Sequence, residues 1–184
     1  EIYDHLDQGS EKRRAYTSSI NGIIAEDLRT VEAERVLHVA CGTGRRALDI
    51  RDRSGLDYRM EGVDISASMV EKAKEKGVQG RIGHWNEIHM DSDAYDAVTF
   101  LYAFGHIPSI DDRRKSLTKV ASVLRPGGRF YFDVFNVANP NEWGPAATRL
   151  FEELNLEQEG YERGDLFYKR HGGDTVAFMH YCSA

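Results

Sequence analysis

Blocks of apolar residues along the chain alternate between the spacing of helices and the length of buried strands. Ile20, Ile23, Ile24 and Leu28 recur at helical spacing, and the apolar run at residues 35–39 that follows is typical of a short buried strand. Further strands are predicted from apolar runs at residues 58–63, 78–83, 95–101 and 129–135. Five strands therefore succeed one another at a regular interval.

Helical patterns lie between these strands. A helix is predicted from about residue 45, and another begins at the N-cap residue Ser66 and stops at Gly77. A third runs through Leu124 and is ended by Pro126 and Gly127. Alternating strands and helices imply right-handed crossovers. The predicted fold class is therefore α/β, a Rossmann-like doubly wound, mostly parallel sheet with helices on both faces.

The pattern changes after residue 136. A helix is predicted around residues 146–157, and two strand-like runs, 166–170 and 175–181, flank Gly172-Gly173-Asp174. This arrangement predicts a C-terminal β-hairpin. The sequence has no internal repeat and no Gly-, Pro- or Ser-rich linker, so its 184 residues are expected to form a single domain.

Composition restricts the possible partners. The chain has 24 basic and 30 acidic residues, a formal charge of −6 and a pI near 5.7, so no nucleic acid is expected to bind. The two cysteines have neither disulfide nor zinc spacing, so no metal site is predicted. No apolar run approaches the roughly 20 residues that cross a bilayer, and a cytoplasmic protein without membrane contact is expected. Because the chain starts without Met and stops directly after an apolar run, we expect it to be a segment of a longer protein.

The clearest candidate site is a glycine loop, residues 40–44, directly after the first strand. Gly42 and Gly44 lack the Cβ atoms that would block a ligand, and ligands bind at the carboxyl ends of strands in such sheets. Asp64 ends the second strand and is suited to accept hydrogen bonds from both ribose hydroxyls. The same features fit a turn without ligand, and Gly42, Gly44 and Ala47 also fit a dinucleotide fingerprint. The loop alone leaves these alternatives open.

Three motifs in order give a family resemblance. Residues 36–44, 62–69 and the LRPGG segment at 124–128 resemble the first motif, the second motif and the turn before the fifth strand of class I S-adenosylmethionine-dependent methyltransferases. Between them, residues 83–88 resemble the third motif and residues 95–100 the fourth strand. The resemblance covers residues 36–135. It implies that S-adenosylmethionine is the cofactor and S-adenosylhomocysteine the product.

The resemblance also assigns the cofactor site. The residues that it places there are His38, Ala40, Cys41, Gly42, Gly44, Asp64, Ile65, Met69, His84, Trp85, Asn86, Leu101 and Tyr102. Cys41 is expected to be a small filler beside the ligand, and Asn86 or Glu87 is an alternative acceptor for the adenine amine. For Met69 and Trp85, ordinary core packing is an equal alternative.

Two histidines depart from the family pattern. The family usually has acidic residues at the positions of His38 and His84. Neutral imidazole keeps one acceptor nitrogen and protonation removes it, so cofactor affinity is expected to fall as the pH drops through the histidine range.

His106, in the loop after the fourth strand, is the candidate catalytic base, and a structural loop histidine is its alternative. The resemblance further implies a lid formed by Tyr3, His5 and Tyr16, unless these side chains only pack on the first helix. The domain would then comprise an N-terminal helical lid at 1–34, a cofactor-binding core at 35–135 and a substrate or cap region at 136–184. A small-molecule acceptor and a monomer or homodimer are expected. The hairpin is a candidate acceptor cap, with a sheet-edge cover or dimer contact as alternatives.

Two rival functions share parts of these features. An NAD(P)-dependent oxidoreductase would use the same glycine loop and Asp64 but leaves the LRPGG segment unexplained. A non-catalytic module with the methyltransferase fold would fit the substitutions at His38 and His84. The acceptor atom, whether O, N, C or S, is not indicated by any residue.

Overall fold

The computed structural model describes residues 11–140, 143–169 and 176–183. The chain divides into two compact units. Among the described residues, the first unit comprises 11–100 and 118–131, and the second comprises 101–117, 132–140, 143–169 and 176–183. None of the described helices is long and apolar enough to cross a bilayer.

The elements begin as a regular alternation of helix and strand, as the apolar pattern predicts, and later pairs of strands follow one another directly. In chain order they begin with α1 (Glu11–Thr30), β1 (Arg35–Val39), α2 (Arg45–Ser54), β2 (Arg59–Asp64), α3 (Ala67–Lys74), β3 (Gln79–Ile82) and β4 (Tyr95–Phe100). They continue with a 3-10 turn (Phe104–His106), α4 (Ile110–Val123), β5 (Leu124–Phe132), β6 (Phe135–Asn136) and α5 (Gly144–Glu153). A second 3-10 turn (Leu156–Glu159), β7 (Asp165–Lys169) and β8 (Val176–Cys182) complete the list.

The first unit contains a five-stranded sheet in the order β3-β2-β1-β4-β5. β1 pairs in parallel with both β2 and β4, and β2 pairs in parallel with β3. Every residue of β4 is buried, as expected for a strand covered on both faces. The strand order reverses between β1 and β4, so right-handed crossovers place the intervening helices on opposite faces. The doubly wound α/β prediction is confirmed, and the reversal point locates the ligand crevice at the carboxyl ends of β1 and β4.

The fifth strand differs from its predicted bounds. β5 already begins at Leu124 and ends at Phe132, so the LRPGG segment lies inside the strand and not before it. Arg125 forms an ion pair with the buried Asp96 at the start of β4, which holds the chain against the sheet at this point. Gly127 adopts a left-handed φ of 80° within the strand, a conformation that favours glycine. The helix end predicted before Pro126 and Gly127 is confirmed, because α4 stops at Val123. Both residues then belong to the extended segment that follows.

The second unit is built on a three-stranded sheet in the order β6-β8-β7. β7 and β8 pair antiparallel, with Asp165 opposite His180 and Phe167 opposite Phe178, which confirms the hairpin. The predicted Gly172-Gly173-Asp174 connection lies outside the described residues. One face of this sheet packs against α5 through a buried cluster of Ala147, Leu166 and Tyr181. α5 ends at Glu153, four residues earlier than predicted, and Asn155 then adopts a left-handed φ of 50°.

The N-terminal helix carries one of the proposed lid residues. Tyr16 lies on α1 and is 45% exposed. Tyr3 and His5 lie outside the described residues. The lid therefore stays a prediction.

Candidate active site

The glycine loop joins β1 to α2 through three residues in the left-handed region. Ala40, Gly42 and Gly44 have φ values of 52°, 53° and 74°. A Cβ atom added at Gly42 would meet no atom within 4 Å, so the loop surface is open at this residue. A Cβ atom at Gly44 would lie 3.0 Å from the Cα atom of Ala73. Gly42 thus leaves space for a ligand, whereas Gly44 is required for packing against α3.

Asp64 is held beside this loop by two backbone groups. Its Oδ2 atom accepts a hydrogen bond from the Gly42 N–H at 2.8 Å, and its Oδ1 atom accepts one from the Ser66 N–H at 2.9 Å. The side chain is half-buried at the end of β2. Each carboxylate oxygen can accept a further hydrogen bond. The carboxylate is therefore oriented and still able to bind two hydroxyl groups.

Cys41 lies inside the loop as a half-buried thiol. Burial, followed by the nearby Asp64 charge, raises the pKa of Cys41 to about 12, so the thiolate needed for nucleophilic attack is not formed near neutral pH. A Cβ atom on Gly62 would lie 2.8 Å from the Cys41 Sγ atom. This contact agrees with the prediction that Cys41 fills space.

His38 is buried under the loop, with a relative exposure of 3%. Its Nδ1 atom lies 2.8 Å from the Thr99 Oγ1 atom, and within the described ranges its buried Nε2 atom has no hydrogen-bond partner. Burial, together with the positive charge of Arg46, lowers the pKa of His38 to about 3. The expectation that His38 loses its acceptor through protonation between pH 8 and 5.5 is therefore wrong, because desolvation keeps the imidazole neutral.

The turn after β3 carries the residues expected at the adenine. His84 is exposed, and its carbonyl accepts hydrogen bonds from the N–H groups of Glu87 and Ile88, both at 2.9 Å. Trp85 and Asn86 are 7% and 8% exposed. Trp85 and Asn86 therefore pack inside the turn. His84 lies on the surface of the same turn and is accessible.

Sequence reasoning missed Lys119, which fastens this turn from α4. Its Nζ atom donates hydrogen bonds to the backbone carbonyls of Trp85 and Ile88 and lies 4.8 Å from the centre of the Trp85 ring. The lysine is 34 residues from Trp85 and belongs to an ordinary helical pattern. No local sequence signal distinguishes it from a solvated helix residue.

Two further residues predicted at the cofactor site, Ile65 and Met69, lie at the start of α3. Ile65 is 72% exposed directly after Asp64, and Met69 is half-buried one turn into the helix. Both are therefore accessible beside Asp64. The structure thus gathers Ala40, Gly42, Asp64 and Ile65 at one end of the first unit's sheet.

Leu101 and Tyr102, which follow β4, belong to the second unit. Tyr102 has a left-handed φ of 56°, and its N–H donates a hydrogen bond to the Asp133 Oδ1 atom. A non-glycine residue in this conformation is uncommon and needs surrounding contacts to hold it. The assignment of Leu101 and Tyr102 to the cofactor stays a prediction.

His106 also belongs to the second unit, where it ends the first 3-10 turn. Its Nδ1 atom lies 2.7 Å from the Phe178 carbonyl oxygen. Because a carbonyl only accepts, Nδ1 must carry the hydrogen and Nε2 is the lone-pair nitrogen of the neutral ring. The Phe135 ring packs edge-on against the imidazole at 5.9 Å between centres. The imidazole is thus exposed, oriented and in the tautomer that a general base requires.

The family follows from a sequence comparison. The family model described as "Methyltransferase domain" matches residues 36–128, which include the glycine loop, Asp64 and the LRPGG segment. The chain belongs to the methyltransferase domain family. This methyltransferase domain is of the class I, S-adenosylmethionine-dependent type, and S-adenosylmethionine is its cofactor. The match favours the methyl donor over the dinucleotide that the loop alone left open.

Individual relatives are consistent with this family. The domain is 33% identical over 145 residues to the O-methyltransferase rstn1 of Aspergillus nomiae, covering 75% of the chain and 62% of that protein. It is 38% identical over 103 residues to the ubiquinone/menaquinone biosynthesis C-methyltransferase UbiE of Geotalea daltonii, covering 52% of the chain and 43% of that protein. The chain thus spans less than two thirds of either relative.

The fold is shared with solved structures. An S-adenosylmethionine-dependent methyltransferase of Methanosarcina mazei superposes with a TM-score of 0.67 at 16% identity, covering 82% of this chain and 73% of the other. At this identity the likeness concerns the fold alone.

The residues of the methyltransferase domain fit the cofactor. Space is open over Gly42, the Asp64 carboxylate retains acceptor capacity, and the buried Nε2 atom of His38 lacks a partner in the described part of the chain. Hydroxyl groups suit the Asp64 carboxylate. An ammonium or water donor suits the His38 Nε2 atom in the tautomer in which Nδ1 donates to Thr99. The ribose and methionine parts of S-adenosylmethionine carry these donors.

Because His38 stays neutral, cofactor affinity in a His84→Asn variant is expected to be the same at pH 8 and pH 5.5. The low pKa of His38 has a different effect on folding, since the unfolded state takes up a proton that the folded state refuses. Stability should therefore decline as the pH falls below the ordinary histidine pKa of 6.5. Calorimetric titration with S-adenosylhomocysteine measures the affinity, and thermal unfolding measures the stability. A fall in affinity that follows histidine protonation in this variant would contradict the buried, neutral state of His38.

Proposed function

We propose that the domain transfers the methyl group of S-adenosylmethionine to a small-molecule acceptor. The observation that carries this proposal is the Asp64 carboxylate, oriented by the Gly42 and Ser66 N–H groups beside an open loop. Bound S-adenosylmethionine supplies a methyl group on a sulfonium, which is already activated for in-line displacement. The protein then has to align the acceptor and remove its proton.

The cofactor residues have separate roles in this proposal. Asp64 holds the ribose hydroxyls, and the open turn at Gly42 admits the methionine chain past the backbone. His38 offers its neutral Nε2 atom to the amino group, directly or through water. Ile65 lies against the adenine, while Trp85, fixed by Lys119, supports the turn beneath it.

His106 is proposed as the general base. Its Nδ1–H is engaged by the Phe178 carbonyl, so the Nε2 lone pair is the group that removes the proton from an acceptor O–H or N–H. The proton remains on the imidazole until solvent removes it. The relatives' names include both O- and C-methyltransferases, so the acceptor atom is to be found by experiment.

Replacing Asp64 with asparagine is expected to weaken S-adenosylhomocysteine binding by about 10- to 100-fold. The amide keeps the size of the side chain and one acceptor oxygen but replaces the other oxygen with a donor. One charge-assisted hydrogen bond, which contributes roughly 1.5–3 kcal/mol, is therefore lost. Calorimetric titration measures the change, and Asp57→Asn, at an exposed position away from the loop, is the matched control. An affinity within twofold of the unchanged protein would remove Asp64 from the ribose site.

The activity itself is tested by transfer of an isotope-labelled methyl group to a panel of hydroxyl-, amine- and carbon-acid metabolites. Labelled product that disappears in the Asp64→Asn variant supports the methyltransferase. Tight binding of S-adenosylhomocysteine without turnover of any acceptor would favour the binding module. Tight binding of NADH without S-adenosylhomocysteine binding would overturn both.

A further inference from the structure

The second unit contains a buried histidine–carboxylate pair that the proposed function does not use. The His180 Nδ1 atom lies 2.7 Å from the Asp165 Oδ1 atom, across the antiparallel pair of β8 and β7. The two residues are only 8% and 6% exposed. The second carboxylate oxygen of Asp165 accepts a hydrogen bond from the Glu162 N–H at 2.9 Å. Asp165 is thus fixed by backbone and in turn fixes the imidazole.

This pairing determines which nitrogen of His180 is available. A carboxylate accepts, so Nδ1 carries the hydrogen and Nε2 is the acceptor of the neutral ring. Among the described residues no group hydrogen-bonds Nε2, and His180 lines a cavity of about 620 Å³. Glu157, Glu162 and Arg163 lie at the same cavity and offer charges of both signs. The cavity therefore presents an oriented acceptor without a strong net charge.

Aromatic rings continue this polar site along the same face of the sheet. Residues paired across β7 and β8 share a face, so Phe167 and Phe178 lie on the face of Asp165 and His180. The two rings meet at 5.3 Å between centres, and Tyr161 meets Phe167 at 5.4 Å. Phe167 and Tyr161 are 48% and 40% exposed. α5 packs on the opposite face through Ala147, and its Phe151 also lines the cavity at His180. The accessible part of the ring face is therefore the part formed by Phe167 and Tyr161.

We propose that this face binds the methyl acceptor and that the acceptor is an aromatic compound with a hydroxyl, separate from the group that His106 deprotonates, that donates a hydrogen bond to the Nε2 atom of His180. The rings of Tyr161, Phe167 and Phe178 match a flat aromatic ligand by edge-to-face or offset packing. The imidazole matches a hydroxyl donor, and Asp165 is the positioning residue that keeps its tautomer. The identification of the ligand as the acceptor rests on the proposed function. The aromatic hydroxyl site itself is independent of it.

A matched pair of probes, 2-naphthol and its methyl ether 2-methoxynaphthalene, tests the site because a methyl group replaces the hydroxyl hydrogen and the ring system is unchanged; His180→Gln separates loss of the donor from the bulk of the methyl group. We expect 2-naphthol to bind the unchanged chain about 5- to 10-fold more tightly, which corresponds to one hydrogen bond. The ring Cε1–H signal of His180, assigned by its absence in His180→Gln, should move on titration. His180→Gln should abolish the preference for the hydroxyl, whereas His89→Gln, at an exposed position in the first unit, should retain it.

A second measurement distinguishes a positioning role of Asp165 from a role in folding alone. Nitrogen chemical shifts of His180 should report hydrogen at Nδ1 in the unchanged protein and a mixture of tautomers in Asp165→Asn. If His180→Gln fails to fold, the preference of the unchanged chain for 2-naphthol, and its loss or retention in Asp165→Asn, still decide. Equal affinity for the two probes, or shifts confined to residues away from β7 and β8, would overturn the site.

S-Adenosylhomocysteine titrations on the same samples keep the two proposals apart. Normal binding of S-adenosylhomocysteine with no hydroxyl preference overturns the aromatic site and leaves the methyltransferase intact. Hydroxyl preference with no methyl transfer to any aromatic hydroxy compound supports the binding site but overturns its assignment to the acceptor.

Discussion

Replacing His106 with asparagine is expected to lower kcat by about 10²- to 10⁴-fold, the range that general-base catalysis supplies. Asparagine retains an N–H that can donate to the Phe178 carbonyl, as Nδ1 does at 2.7 Å in the unchanged protein. It offers no basic nitrogen at the position of Nε2. Initial rates with the acceptor that the labelled-methyl panel identifies measure the loss.

Three comparisons make this result specific to proton removal. Affinity for S-adenosylhomocysteine should stay within twofold, because His106 is not among the residues proposed to hold the cofactor. The loss should shrink for acceptors with more acidic hydroxyls, which ionise without help. His89→Asn, an exposed histidine elsewhere, should keep full activity. If kcat instead stays within about threefold for weakly acidic acceptors, His106 is a structural loop residue.

Replacing Glu61 with glutamine is expected to destabilise the fold by about 3–5 kcal/mol, as for other broken buried ion pairs. The Glu61 side chain is 2% exposed, and the Arg35 Nε atom lies 2.6 Å from its Oε1 atom. Arg59 and Arg81 approach the same carboxylate at 3.2 and 3.5 Å, and the Tyr95 hydroxyl donates to it at 2.9 Å. The amide would leave the buried Tyr95 hydroxyl, and three arginines whose side chains are 25–51% exposed, without a charged acceptor. Denaturant unfolding measures the loss.

The Glu61 cluster also predicts a pH dependence. Burial acts to raise the pKa of Glu61, but hydrogen bonds from Arg35 and Tyr95 and nearby arginine charges outweigh burial, so the pKa is lowered from 4.5. This stabilisation is present above the unfolded-state pKa and is lost as the pH falls through the lower folded-state value. Glu71→Gln, whose side chain is 63% exposed beside Lys74, should change stability by less than about 0.5 kcal/mol. Equal effects of the two substitutions would show that the buried cluster contributes nothing beyond a surface pair.

The elements of the first unit could be predicted because each strand is a buried apolar run and each helix has its own repeat. The bounds of β5 could not, because Arg125 is drawn to the sheet by Asp96, a partner 29 residues away in sequence. The hairpin was predictable from two apolar runs around a glycine pair. The boundary between the two units assigns residues 101–117 to the same unit as the hairpin. This assignment depends on contacts between residues far apart in the sequence, so no local pattern indicates it.

The candidate site shows the same division between local and distant causes. Gly42 and Asp64 are local motif residues, and the structure brings them together by a hydrogen bond. The sequence suggested that His38 would be protonated near pH 6. Burial by neighbouring elements lowers its pKa and keeps the imidazole neutral, and this burial depends on the folded structure. The contacts of Lys119 and of the His180–Asp165 pair join residues 34 and 15 positions apart, so they are visible only in the folded chain.

The hydrogen bonds from Gly42 and Ser66 to Asp64 are made within the protein itself, between the end of β2 and the backbone beside it. They restrain the glycine loop whatever the outer lone pairs of the carboxylate bind. Preorganisation of this kind reduces the entropy lost on association. One carboxylate thus limits the conformational freedom of the loop as well as serving as the proposed ribose acceptor.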